Sequence, residues 1–144
     1  MQAVPLNYWA VLVCGVVSIA LGSLWYGPVF GKMWMRLMGW DKMNPEQMAE
    51  AKKGMIKSYA LSFVGALVMA YVLAHALVFA SSYMNVEGYA AGLSTGFWMW
   101  LGFVLPVTMS DVLWGQKSWK LWSLNSGYYL VQLLMFGVIL ALWG

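Results

Sequence analysis

The chain has 144 residues, 62% of them hydrophobic and only 9% charged, whereas a soluble domain carries about a quarter charged residues to hydrate its surface. That composition excludes a soluble globular domain and turns the outer surface toward lipid. The formal charge of +3 does not point to nucleic acid, because the basic residues flank apolar runs instead of sharing a polar face.

Asp, Glu, Lys and Arg are absent from 1–31, 58–86, 88–110 and 121–144. A helix needs roughly 20 apolar residues to cross about 30 Å of hydrocarbon. Trimming the polar ends predicts spans at 6–26, 57–80, 89–108 and 124–143. Helices are required because each backbone polar group must find its partner within its own segment, and the short alternating segments of a transmembrane β-barrel are missing. The expected fold is all-α: one domain over 1–144, an integral membrane four-helix bundle with short amphipathic interfacial helices on the cytoplasmic side. The first apolar run has no Lys or Arg before it and no small-residue cleavage site after it, so it reads as a retained span and not a signal peptide.

That first span carries Cys14, a lone cysteine expected to be a buried small apolar residue, and then Ser18 and Gly22, four apart. It ends at Trp25-Tyr26-Gly27-Pro28. Trp25 and Tyr26 suit the headgroup region, Gly27 lets the chain leave helical geometry, and Pro28 stops one helix while fitting the start of the next. The tetrapeptide reads as a structural joint, or as the lining of a ligand pocket beneath the bundle. Beyond it, Val29, Phe30, Met33, Trp34, Leu37 and Met38 recur at helical spacing, with Lys32 and Arg36 on another side. This pattern suits a helix lying in the interface, seated by Phe30 and Trp34. Met33, Met35 and Met38 have the spacing of soft copper ligands, but no Cys or His joins them, and methionine readily fills irregular apolar surface. Asn44-Pro45-Glu46-Gln47 is a helix start, predicting a helix from about 45 into the second span with Gly54 as a tolerated weak point.

Small residues four apart mark helix-packing faces: Ala66, Ala70 and Ala74 in the second span, and Gly88, Gly92 and Gly96 in the third. They serve either the monomer's own bundle or self-association. His75, the single histidine, lies in the outer third of the second span. It is either a functional intramembrane group or a neutral imidazole bonded to Tyr71 or to a loop carbonyl. Gln132 in the fourth span is expected to form an interhelical hydrogen bond. Ser110-Asp111 is expected to start a short amphipathic piece carrying Trp114, Trp119 and Trp122. The order span, interfacial segment, span occurs twice in one direction, and Trp25-Tyr26-Gly27-Pro28-Val29 against Gly102-Phe103-Val104-Leu105-Pro106-Val107 gives thin support for a parallel duplication.

The basic residues set the orientation. Lys32, Arg36, Lys42, Lys52, Lys53 and Lys57 lie between spans one and two, and Lys117 and Lys120 between spans three and four. The positive-inside rule then puts 27–56 and 109–123 in the cytoplasm and both termini outside. Tyr8, Trp9, Trp25, Tyr26, Tyr83, Tyr89, Trp119 and Trp143 lie near span ends, as aromatic belts do.

The run Leu24-Trp25-Tyr26-Gly27-Pro28-Val29-Phe30-Gly31-Lys32-Met33-Trp34 resembles the signature of a family of small bacterial and archaeal membrane proteins labelled domain of unknown function 1761. The resemblance continues through Asn7 and Gly22, then Gly96-Phe97-Trp98-Met99-Trp100-Leu101-Gly102-Phe103, and Asn125-Ser126-Gly127-Tyr128. It implies a four-helix protein of a prokaryotic cell (inner) membrane and carries no activity, substrate or catalytic residue with it. The chain departs from the pattern near 111–117, where an acidic residue after an aromatic one is expected and Val112-Leu113-Trp114-Gly115 stands instead.

No HExxH, GxSxG, phosphate loop or paired membrane carboxylate occurs, so no catalytic residue, metal or cofactor is assigned, although a bound lipid is compatible with the surface. The leading functional reading is a non-catalytic membrane component that packs with itself or with another membrane protein, in contact with lipid. The first alternative is a small oligomeric transporter or channel drawing on His75, Thr95, Pro106 and Gln132. The second is an enzyme acting on a lipid. The charge asymmetry makes a direct prediction: cysteines introduced at Gln2, Asn85 and Gly144 are labelled by impermeant reagents from outside, and those at Met43 and Gln116 are not. Labelling of either terminus from the cytoplasm would overturn the orientation.

Overall fold

A computed structural model describes residues 5–143; Gln2 and Gly144, two of the labelling positions, fall outside that range. Helix α1 (Tyr8–Leu24) opens on Asn7, whose side-chain oxygen accepts from the N–H groups of Trp9 at 3.0 Å and Ala10 at 3.4 Å, satisfying donors that a helix start leaves open. At Trp25–Val29 the helix breaks. Gly27 leaves helical geometry (φ −113°, ψ −106°), and the Phe30 N–H donates to Trp25 O at 2.9 Å, one residue wider than an α-turn. Pro28 has no N–H to continue the ladder. Helix α2 (Gly31–Met38) follows, with Lys32 and Arg36 exposed and Trp34, Leu37 and Met38 half-buried.

Helix α3 (Pro45–Lys53) starts on a reciprocal cap. The Gln47 N–H donates to Asn44 Oδ1 at 2.8 Å, and the Asn44 N–H donates to Gln47 Oε1 at 3.1 Å. The expected continuous helix into the second span is divided: a turn at Gly54 separates α3 from α4 (Met55–Met84). Glycine is a poor helix former, and this one falls where the polar segment meets the apolar span.

Helix α5 (Gly88–Met99) ends short of the expected third span. A wide turn at Trp100–Val104 precedes α6 (Leu105–Thr108), since Pro106 offers no N–H to the carbonyl one turn back. The piece expected to begin at Ser110 is only the single turn α7 (Ser110–Leu113). Trp119 and Trp122 belong instead to α8 (Trp119–Trp143), which starts five residues ahead of the predicted span because Ser118 caps it: the Leu121 N–H donates to Ser118 Oγ at 3.1 Å.

No strand occurs among the described residues, and four helical segments are long and apolar enough to cross a membrane. They form a four-helix bundle in which α1 packs on α4 and α5 on α8, closed by α4–α5 and α1–α8 contacts, with α4 also reaching α8. The core sets Phe136, fully buried, among small neighbours that include Ala10, Cys14, Ala66, Ala70 and Ala74. Only 22% to 33% of each apolar window is buried inside the bundle; most of the helical surface faces outward.

The most extensive contact is α5 on α8, and it is backbone on backbone. A Cβ on Gly92 would collide with the carbonyl of Gly137, and one on Gly137 with the carbonyl of Gly92; a Cβ on Gly96 would stand 2.5 Å from Leu133 O. Gly88 differs from its two partners in the glycine series. It starts α5 with φ +70°, and a Cβ there would meet nothing within 4 Å, so it serves the turn and not the packing. Gly92→Leu and Gly96→Leu are each expected to cost about 3 kcal/mol or more. Leu93→Ala, on an outward position, should cost under ~1 kcal/mol. Thermal unfolding in detergent separates the two classes, and wild-type stability in both glycine variants would contradict the contact.

Candidate functional site

Helices α1 and α8 run antiparallel and are joined by polar contacts from end to end. At one end Asn7, while capping α1, donates from Nδ2 to the carbonyl of Trp143 at 2.9 Å. Midway, buried Gln132 donates from Nε2 to Oγ of buried Ser18 at 2.6 Å. The Tyr128 hydroxyl donates to Ser18 O at 3.2 Å, and Gly22 leaves room for that ring: a Cβ would stand 3.3 Å from its oxygen. At the far end the joint takes over. Trp25 Nε1–H donates to Leu124 O at 3.2 Å, and the Tyr26 hydroxyl donates to Asn125 Oδ1 at 2.8 Å. Such bonds hold helices together in lipid, where water-driven association is lost.

The joint is also an aromatic stack. Phe30 folds back on Trp25 (ring centroids 4.7 Å apart), and Trp34 lies edge-on to both Tyr26 (5.8 Å) and Trp40 (4.8 Å). The break at Gly27-Pro28 allows this, bringing Phe30 and Trp34 to the rings at the end of the first span. Tyr26 also meets Tyr128 at 5.3 Å. Trp25, Tyr26, Phe30 and Trp34 are thereby brought together around α8.

A second joint sits on the other flank of α8. Trp100 opens the wide turn after α5, and its Nε1–H donates to Ser126 O at 2.8 Å. Trp25 and Trp100 thus play the same part: each is the first residue of an irregular turn, each is followed two residues later by glycine, and each is bonded to a carbonyl of the same turn of α8. The structural register pairs Trp25 with Trp100 and Gly27 with Gly102. This register differs from the sequence alignment of Trp25-Tyr26-Gly27-Pro28-Val29 with Gly102-Phe103-Val104-Leu105-Pro106-Val107.

Beneath the first joint lies a cavity of about 300 Å³. Its walls are aromatic (Tyr26, Trp34, Trp122, Tyr129), and its polar groups are Thr108, Asp111, Lys117 and Asn125. Thr108 is occupied, accepting from Trp122 Nε1–H at 3.1 Å and donating to Val104 O at 2.7 Å. Asn125 has its oxygen taken by Tyr26, while its Nδ2 has no acceptor among the described residues. Asp111 and Lys117 share the cavity without forming a salt bridge; among the described residues the one ion pair is Lys53–Glu50, at 3.3 Å. A larger cavity of about 480 Å³ opens at the opposite end, around Asn7, Ala74 and Leu140 with Glu87 on its rim. It carries less chemistry, and its Pro5 edge adjoins residues outside the described range.

The remaining residues singled out in the sequence fall elsewhere. Ala66, Ala70 and Ala74 are buried in the core of the bundle. His75 is not in the seam. It is half-buried on α4 and makes the expected bond to Tyr71 one turn away, its Nδ1 2.9 Å from the Tyr71 backbone carbonyl and its ring 4.6 Å from the Tyr71 ring. Gln132 is in the seam, with Oε1 buried and unpartnered, as is Ser126 Oγ.

The sequence pattern of the family described as "Protein of unknown function (DUF1761)" matches residues 9–141. The chain belongs to this family. No curated protein and no solved structure matches it. In this DUF1761 member several residues of the runs that resemble the family join helices: Gly22, Trp25, Tyr26, Trp100, Asn125, Ser126 and Tyr128 all contact across the α8 seams.

Reading the sequence for sites missed Tyr128, Asn125 and Trp100 as polar partners and Gly15 and Gly137 as close-approach positions. A Cβ on Gly15 would stand 2.7 Å from Leu67 Cδ2 on α4. The signal for two of the polar partners was present: Asn125 and Tyr128 are polar residues at the start of an apolar span and need partners. Ser18→Ala leaves the Gln132 amide with no partner and is expected to cost about 1–2 kcal/mol. Ser18→Ala combined with Gln132→Leu is expected to cost less than the sum of the singles. Unfolding midpoints in detergent for both singles and the double check this, and strict additivity would deny the coupling.

Proposed function

We propose that this protein is a non-catalytic membrane component that assembles with a second copy of itself through the outer face of α4, with 27–56 and 109–123 on the cytoplasmic side. The observation that carries the reading is the position of His75. Polar side chains inside a bilayer ordinarily turn toward protein, yet this one is only half-buried and continues the helical stripe of exposed Leu61, Val64, Gly65, Val68 and Val72 on α4. Its Nδ1 is engaged with a carbonyl, which only an N–H can do, so in the neutral ring Nε2 is left as an acceptor with no partner among the described residues. One turn away on the same face the Tyr71 ring is exposed and its hydroxyl has no partner among the described residues.

A two-fold arrangement matches those groups. In a symmetric membrane dimer equivalent residues lie at one depth, and the same patch meets itself. The Tyr71 hydroxyl of each copy is then at the level to donate to His75 Nε2 of the other. Gly65, with nothing within 4 Å of a Cβ built on it, lets two α4 backbones approach as small residues do in lipid. Each hydrogen bond of this kind contributes about 0.6–2 kcal/mol.

Gly65→Leu is the discriminating variant, because the space around Gly65 is open within one chain and the fold tolerates the larger side chain. Native mass spectrometry from mild detergent is expected to show dimers for the wild type and His75→Gln, and monomers of unchanged thermal stability for Gly65→Leu. His75→Leu is expected to be partly dissociated. Monomers for every variant, or dimers that ignore both Gly65→Leu and His75→Leu, would overturn the reading. Reconstituted wild type showing pH-dependent flux that His75→Gln abolishes would favour the transporter instead.

A further inference from the structure

We propose that the cavity beneath the Trp25–Pro28 joint binds the ammonium–phosphate headgroup of a zwitterionic membrane phospholipid. The cavity sits where two spans end, at the level at which α1 turns away into α2 and α8 begins. That is the depth of the headgroup layer, and the ring of tryptophans around it belongs to the same layer.

The walls supply two opposite polar ends. Asp111 is an anion that does not pair with Lys117, and aromatic rings stand beside it: Trp34, Trp122 and Tyr26. A carboxylate that shares a cavity with aromatic rings is suited to an alkylammonium group, whose charge is drawn both to the anion and to the π clouds. Lys117 and the uncommitted Nδ2 of Asn125 offer donors to phosphate oxygens. A simple anion would leave Asp111 facing it, and a simple cation would leave Lys117 facing it; a zwitterion satisfies both. A volume of about 300 Å³ is at the small end of ligand pockets, room for a headgroup whose acyl chains lie outside in the bilayer.

The site does not depend on assembly through α4, which lies on other residues, so the monomeric Gly65→Leu protein is expected to bind equally well. The experiment uses the full chain in detergent, given equal phosphatidylethanolamine and phosphatidylglycerol and analysed by native mass spectrometry, with free phosphoethanolamine in a separate arm. The expected result is several-fold greater retention of phosphatidylethanolamine. Asp111→Asn should abolish that preference, because it removes the charge of a side chain that forms no ion pair among the described residues. Lys117→Gln should lower retention of both lipids. Equal retention by the wild type, or a preference untouched by Asp111→Asn, overturns the proposal. Displacement of the lipid by millimolar-range (on the order of Kd 1 mM) free phosphoethanolamine alone, with no lipid preference, would mean a soluble ligand and overturns it too.

Discussion

Inside a bilayer nothing squeezes helices together the way water does, so a bundle stands only where surfaces fit or polar groups find each other. Helix α8 meets both requirements, on two flanks. Against α5 it offers bare backbone at Gly137 and Leu133, which Gly92 and Gly96 can touch because they have no side chains. Against α1 and the joint that follows it, α8 offers Tyr128 and Gln132, both engaged by Ser18, and Asn125, engaged by Tyr26. One flank is held by contact over many atoms and the other by a few directed bonds. Enlarging a glycine and deleting a hydroxyl would therefore injure the fold in different ways.

The two joints extend the same logic to the ends of the spans. Irregular backbone is tolerated at membrane depth only where protein or water satisfies it. At Trp25–Val29 and Trp100–Val104 the α-helical ladder is interrupted, and in each case an indole reaches across to a carbonyl of α8. The tryptophans thereby act twice, as rings at home near headgroups and as fasteners that locate a break in the helix. Phe30 and Trp34 then pack against Trp25 and Tyr26, so the kink is held by side chains on both of its arms.

Much of this was legible in the sequence, because the strongest signals in a membrane protein are local. Charge-free stretches delimit helices, Gly27-Pro28 ends one, and Asn44 with Gln47 begins another; each of these effects is decided within a few residues. The divided helices were less legible. Gly54 and Pro106 were visible, but whether a glycine or proline bends, breaks or merely weakens a helix depends on what surrounds it. Least legible were the long-range pairs. Gln132 had an obvious need for a partner, yet Ser18 lies 114 residues away, and nothing local in either segment names the other. The glycine series shows the same limit: Gly88, Gly92 and Gly96 share a spacing, but only the last two meet α8.

The bond from Asn7 to the carbonyl of Trp143 connects residues 136 apart, and this bears on how the protein is made. Chains emerge from the ribosome N-terminus first, so α1 enters the membrane while its counterpart is still unsynthesised. It can lean on α4 in the meantime, through Gly15 and the alanines of that helix. Ser18, and Tyr26 in the joint just beyond it, must wait, solvated by whatever water or headgroup they can reach, until α8 arrives. The seam that bonds the first helix to the last is thus the final one to close, and a truncated chain would be left with α1 recognisably half-dressed: packed on one side and polar on the other.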